Sequence, residues 1–264
     1  MAKQRPERSK RRKRMAWVLV VLGPLLAAAA WQGAVAEDWR TASREPAGIA
    51  PDPATTPEAV VQVYAARAFS WRSVLGVHTW VAVKPTGAPA FTVYEVLGWR
   101  GWWGEPVVME SRRAPDARWY GNMPWLLVDL RGPGADAVIG QIRNAVQSYP
   151  YPDDYHLWPG PNSNTFTAWI GRHVPALRLD LPPTAIGKDY LDGARVVRAP
   201  SGTGFQASLF GLAGVLVARE EGLELDVLGL TFGLDPFDPA LKLPVIGRIG
   251  PAPRVRYLKA PGTA

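Results

Sequence analysis

Cysteine is absent from this 264-residue chain. That excludes disulfide staples, thiolate metal ligands and a cysteine nucleophile. Histidine is scarce: His78, His156 and His173 are the whole supply, so a general base near neutral pH has few candidates. Net charge is missing from most of the chain as well. The formal total is +7, but eight of the 30 Lys and Arg and one of the 23 Asp and Glu fall in residues 1–14, leaving 22 of each sign in the rest. A neutral body gives no broad phosphate-binding face, and no nucleic-acid partner is expected. Neither a glycine-rich phosphate loop nor a zinc-ligand spacing occurs, so no cofactor and no metal site are expected.

Hydrophobic residues are plentiful at 47%, enough for a sizeable core. Residues 15–36 hold no charge and follow a block containing Lys3, Arg5, Arg8, Lys10, Arg11, Arg12, Lys13 and Arg14. A run of about 20 apolar residues crosses a bilayer as a helix, and the basic block stays on the cytoplasmic side. The expectation is therefore a single-pass anchor in a bacterial inner membrane. Its N-terminus would be cytoplasmic, its main domain periplasmic or extracytoplasmic, and the lipid bilayer its first partner. A cleaved signal peptide is the competing reading, since Ala34-Val35-Ala36 fits a small-x-small cleavage pattern.

Five segments follow from composition: 1–14 basic and cytoplasmic, 15–36 transmembrane, 37–58 a Pro/Ala-rich linker, 59–243 an α+β domain, and 244–264 a basic, Pro-rich tail expected to lie along the membrane or stay disordered. Within the domain, 59–69, 77–84, 91–97 and 125–130 read as strands, the second and third joined as a hairpin through 85–89. Val138, Ile139, Ile142 and Val146 trace a helical face, which Tyr149-Pro150-Tyr151-Pro152 must end. A second helix starts near Asn164 and stops near Pro175. Residues 210–217 and 223–232 read as another hairpin. The apolar run Leu209–Ala218 is about ten residues, too short to cross a bilayer. The Trp- and Arg-rich stretch 98–121 reads as a long hairpin with packed aromatics or as a binding surface.

The candidate chemistry lies at Trp158-Pro159-Gly160-Pro161-Asn162-Ser163-Asn164-Thr165-Phe166. Breakers run straight into a helix, which places Ser163 where free backbone N–H groups and the positive dipole end stabilise an anion. Serine needs an adjacent base, and His78 on its strand is the candidate. Glu95 is a possible orienting group for the imidazole, and Asn162 and Asn164 offer donors at the turn. Ser and Asn are also preferred helix caps, so capping alone explains the motif. His156 reads as a loop residue.

The order of a His78 strand, a hairpin, a helix and then Asn162-Ser163-Asn164-Thr165-Phe166 on a helix start resembles circularly permuted papain-like proteins of the NlpC/P60 superfamily. The resemblance implies an α+β fold with a permuted papain-like core: an antiparallel sheet with packed helices. Ser163 would stand at the cysteine nucleophile position and His78 at the histidine position. Serine in place of cysteine implies either a binding-only cleft for an envelope ligand or protein, or a Ser/His hydrolase or acyltransferase acting on an amide or ester in peptide, peptidoglycan or lipid. Tyr149-Pro-Tyr-Pro152, Trp158 to Phe166, and Pro182-Pro183-Thr-Ala-Ile-Gly-Lys-Asp-Tyr190 also resemble an uncharacterised family of bacterial membrane-anchored proteins.

Overall fold

The computed structural model describes residues 38–132 and 134–251, the backbone of 256–259, and the isolated helical positions 23, 27, 30, 31 and 34. The basic block and the rest of the expected membrane span at 15–36 lie outside the described residues. Among the described residues no helix is long and apolar enough to cross a membrane.

Two sheets carry the fold. The first has six strands in the order β13-β5-β1-β2-β3-β4: β1 (Val60–Arg67), β2 (Val77–Lys84), β3 (Thr92–Val96), β4 (Val108–Ser111), β5 (Pro124–Arg131) and β13 (Arg256–Lys259). Its pairings are antiparallel except β13 with β5, which is parallel. β1 and β2 show no polar–apolar alternation because both faces are covered. Val61, Val63, Val81 and Val83 face helices α1 (Ala135–Gln147) and α2 (Ser163–His173) with Ile142, Phe166 and Ile170. Tyr64, Trp80 and Ala82 face the other way, under Ile49 and Trp119. The linker is thus part of the fold: the Ile49 and Ala50 amides donate to Asp116, and Pro46 bridges Ala117.

The second sheet is a seven-stranded antiparallel meander: β6 (Ala194–Arg198), β7 (Gly204–Leu209), β8 (Ala213–Ala218), β9 (Gly222–Val227), β10 (Leu230–Asp235), β11 (Ala240–Leu243) and β12 (Gly247–Ile249). The α+β expectation holds at this level, but one sheet becomes two. The hairpin expected over 210–232 is part of a longer meander, because Leu228-Gly229 makes a further turn inside it, with both residues at positive φ. The tail at 244–264 supplies β12 and β13.

This sheet is inside out. Gln206, Ser208, Glu224, Asp226, Thr231, Asp235 and Lys242 are buried, while Phe205, Val217, Leu225 and Leu234 between them are exposed. The buried side works because its charges are paired. Lys188 Nζ lies 2.5 Å from Glu224 Oε2 and 3.2 Å from Asp189 Oδ1. Lys242 Nζ lies 2.8 Å from both Asp180 Oδ1 and Glu224 Oε1. Gln206 and Thr231 donate to the two oxygens of Asp189. Burial opposes both ammonium charges, yet the carboxylates outweigh it and hold both lysines above their ordinary pKa.

Candidate functional site

The turn before α2 is built around Asn162. Its side-chain oxygen accepts from the Asn164 and Thr165 amides at 2.9 and 3.2 Å, and the Thr165 hydroxyl accepts from the Asn162 amide at 3.1 Å. This is a capping box with threonine in the third helical position. Its amide nitrogen donates to the Leu157 and Ile186 carbonyls, tying the cap to the loop that follows α2. Gly160, at φ 138°, leaves no room for a side chain: a Cβ would stand 2.8 Å from Tyr190 Cβ and 2.9 Å from the Thr165 hydroxyl.

The start of α2 docks on β2 at Val77 and Thr79. Asn164 donates to the Val77 carbonyl at 3.0 Å, and the Thr79 hydroxyl lies 3.4 Å from the Ser163 carbonyl and 2.9 Å from the Thr167 hydroxyl. Thr79 thus faces α2, and strand alternation turns the His78 ring to the opposite face of the sheet, where it packs with Trp80 and Trp119. Among the described residues the Ser163 hydroxyl forms no hydrogen bond, and none joins it to the His78 ring.

His78 is held by Glu95, the sequence's candidate orienting group. Its Nε2 stands 3.2 Å from Glu95 Oε2. Arg113 clamps the same carboxylate from the other side, with Nε to Oε1 at 2.9 Å and Nη2 to Oε2 at 3.2 Å. The ring stacks on Trp119 with centroids 3.7 Å apart, and the Arg113 guanidinium lies over Trp80 at 5.0 Å. Burial pushes the Glu95 pKa up, but the His78 hydrogen bond and the Arg113 charge outweigh it and bring it to about 2. Burial also lowers the His78 pKa, against the pull of Glu95. A neutral imidazole beside an ionised carboxylate donates from Nε2, so Nδ1 is the basic nitrogen. Arg113 and Trp119 were not singled out in the sequence; both lie in the Trp/Arg stretch 98–121, which contributes these inward groups and also the exposed Trp102 and Trp103.

A cleft lies elsewhere, between α2 and the edge strand β6. It encloses about 640 Å³ and is lined by Tyr149, Tyr151, Trp169 and Tyr190 with Arg172, Arg195 and Arg198. Neither His78 nor Ser163 lines it; Thr165 does. The aromatic rings form a chain of edge contacts, Phe166 to Tyr149 to Tyr151 to Tyr190. Tyr149 is buried, and among the described residues its hydroxyl, shielded from solvent, has no hydrogen-bond partner, a donor left unsatisfied at a cost of about 1–3 kcal/mol. The dense Tyr149-Pro150-Tyr151 run is the signal for this cleft, read in sequence as a helix stop and as part of a family resemblance. His156 is an exposed loop residue whose amide donates to the Pro161 carbonyl.

Fold and site together define an α+β domain that clamps a histidine with a Glu–Arg pair on one face of a sheet, seats a capped helix start on the other, and carries an inverted meander sheet. Residues 58–190, half of the chain, match the model of a family described as a protein of unknown function (DUF3750), and the chain belongs to that family. The match takes in His78, Glu95, Arg113, Ser163 and all four cleft aromatics, and ends before β6. No curated protein and no solved structure matches the chain.

Proposed function

We propose that the chain is a membrane-tethered envelope protein of the bacterial inner membrane whose domain binds an anionic ligand without turning it over. The cleft of about 640 Å³ walled by Tyr149, Tyr151, Trp169 and Tyr190 carries this reading. Volume in the ligand range, aromatic walls and a few convergent polar groups are the usual features of a binding site. Arg195 and Arg198 add positive charge. The tether rests on the uncharged run at 15–36 behind the basic block.

Calorimetric titration of the full chain in detergent with a soluble anionic muropeptide tests this. Saturable binding is expected. Arg195→Ala weakens it about tenfold, the loss of roughly one hydrogen bond to a charged acceptor, while leaving thermal stability unchanged. Absence of muropeptide binding, or an Arg195→Ala variant that binds normally, contradicts the reading.

The alternative takes Ser163 as nucleophile, His78 as base and the α2 amides as oxyanion donors, in the papain-like arrangement that the motif resembles. The sheet opposes it: Thr79 meets α2, whereas the His78 ring packs with Trp80 and Trp119 on the other face. A fluorophosphonate probe separates the two. The binding reading expects no labelling at Ser163. Labelling lost in both Ser163→Ala and His78→Ala establishes the hydrolase.

A further inference from the structure

The outward face of the seven-stranded sheet is apolar along complete cross-strand rows. Strand register aligns Phe205, Val217, Leu223, Leu234, Leu241 and Ile249 across six consecutive strands, and every one of them is at least 44% exposed. The next row runs through Val196, Ala207, Val215, Leu225 and Phe232. The only charged strand residue on this side is Arg198, on the edge strand β6 opposite Phe205. Seven strands about 4.8 Å apart span roughly 30 Å, and five residues along each add about 17 Å, so the flat patch approaches 500 Å². That is large for the surface of a protein in water.

We infer that this face lies on the lipid bilayer, its side chains in the boundary between headgroups and acyl chains. The inference rests on the tether reading above: the uncharged run ends at Ala36, two residues before the described domain begins, so the domain is held beside the membrane. Two features favour lipid over a second copy of the chain. The turns at Phe210 and Leu228 carry apolar residues 46% and 61% exposed beyond the strands, which a facing sheet leaves uncovered and a bilayer accepts. Trp158, half-exposed, donates its indole N–H to the Leu228 carbonyl at the same end, the placement that tryptophan takes at a membrane interface. Every inner strand of the sheet is hydrogen-bonded on both sides, so contact with acyl chains exposes no unpaired backbone there.

The absence of cysteine makes the test direct. Val217→Cys, Leu225→Cys and Phe232→Cys, with Gln141→Cys on the outer side of α1 as control, are labelled with a polarity-sensitive fluorophore in the full chain. Each is reconstituted at one chain per nanodisc. Co-elution with discs tests the tether; quenching tests the sheet. Quenching of the three sheet positions by doxyl-labelled phospholipid, with iodide quenching reduced at least fivefold relative to position 141, is the expected result. A chain that co-elutes while its sheet labels are quenched by iodide overturns the inference and leaves the tether standing. Sheet labels shielded from both quenchers, with two chains per disc, overturn it in favour of a second copy. A chain that fails to co-elute overturns both.

Discussion

Tyr64 and Trp80 in the six-stranded sheet are fully buried; Phe205 and Val217 in the seven-stranded sheet are 66% and 58% exposed. In the first sheet, two apolar faces are covered by helices on one side and by the linker and the 114–120 loop on the other. Polar chemistry is confined there to small closed networks such as His78–Glu95–Arg113. In the second sheet, the covered face is the polar one, and Lys188, Lys242, Glu224, Asp180 and Asp189 satisfy one another. The lesson is that a sheet's inward face is set by what its neighbours can satisfy, not by hydrophobicity alone. The loop 180–190 and Arg172 bring charge, so the meander turns its charges toward them.

Breaking the pairing should therefore hurt the second sheet more than a cavity hurts the first. Lys188→Met strands Glu224 and Asp189 without a partner that both depend on, and should cost about 3–5 kcal/mol in denaturant unfolding. Ile142→Ala, in the core under the first sheet, should cost about 2–5 kcal/mol from cavity formation. A Lys188→Met variant as stable as its parent would mean that the inverted network is dispensable.

The pH dependence separates the regions next. Burial, then Asp180, raises the Glu221 pKa from 4.5 to about 7; burial, then Asp189, raises Asp226 from 3.8 to about 7. Glu221 has one carboxyl oxygen with no partner among the described residues, as suits a protonated group. Raised pKa values mean that these groups favour the folded state at low pH and lose that contribution as pH climbs from the ordinary carboxylate range to about 7. Glu95, held near 2, works oppositely: its contribution is present above its ordinary value of 4.5 and is lost as pH falls toward 2. His78 bends the parent curve too, so each variant is read against the parent at the same pH. Glu221→Gln should gain on the parent between pH 4.5 and 7, whereas Glu95→Gln should lose ground as pH rises from 2 to 4.5. Thermal melts across that range check both signs.

How much of this was legible in the sequence follows the same division. β2 and β5 fell within a residue of their expected ends because β-branched runs bounded by Pro and Gly leave few alternatives. Asn162 announced its cap, and Glu95 its place beside His78, since two hairpin strands put such residues on one face. Arg113 was hidden in a stretch whose tryptophans point both in and out. The second sheet's polarity was unreadable: strict alternation in Leu223-Glu-Leu-Asp-Val227 marks a strand but does not say which side is wet. The run Leu209–Ala218, which hinted weakly at a membrane span, is a hairpin turn and strand in that outward face.

The smallest expected effect on folding carries the largest consequence for the account. An outward residue such as Leu225 should tolerate a nitroxide side chain at a cost within about 0.5 kcal/mol. Its spin-label accessibility in bilayer-reconstituted full chain, compared with position 141, tests the inverted sheet most directly. High collision with oxygen and little with a water-soluble nickel chelate at 225, and the reverse at 141, are the results predicted for a lipid-facing second sheet. Equal nickel accessibility at both positions would contradict it.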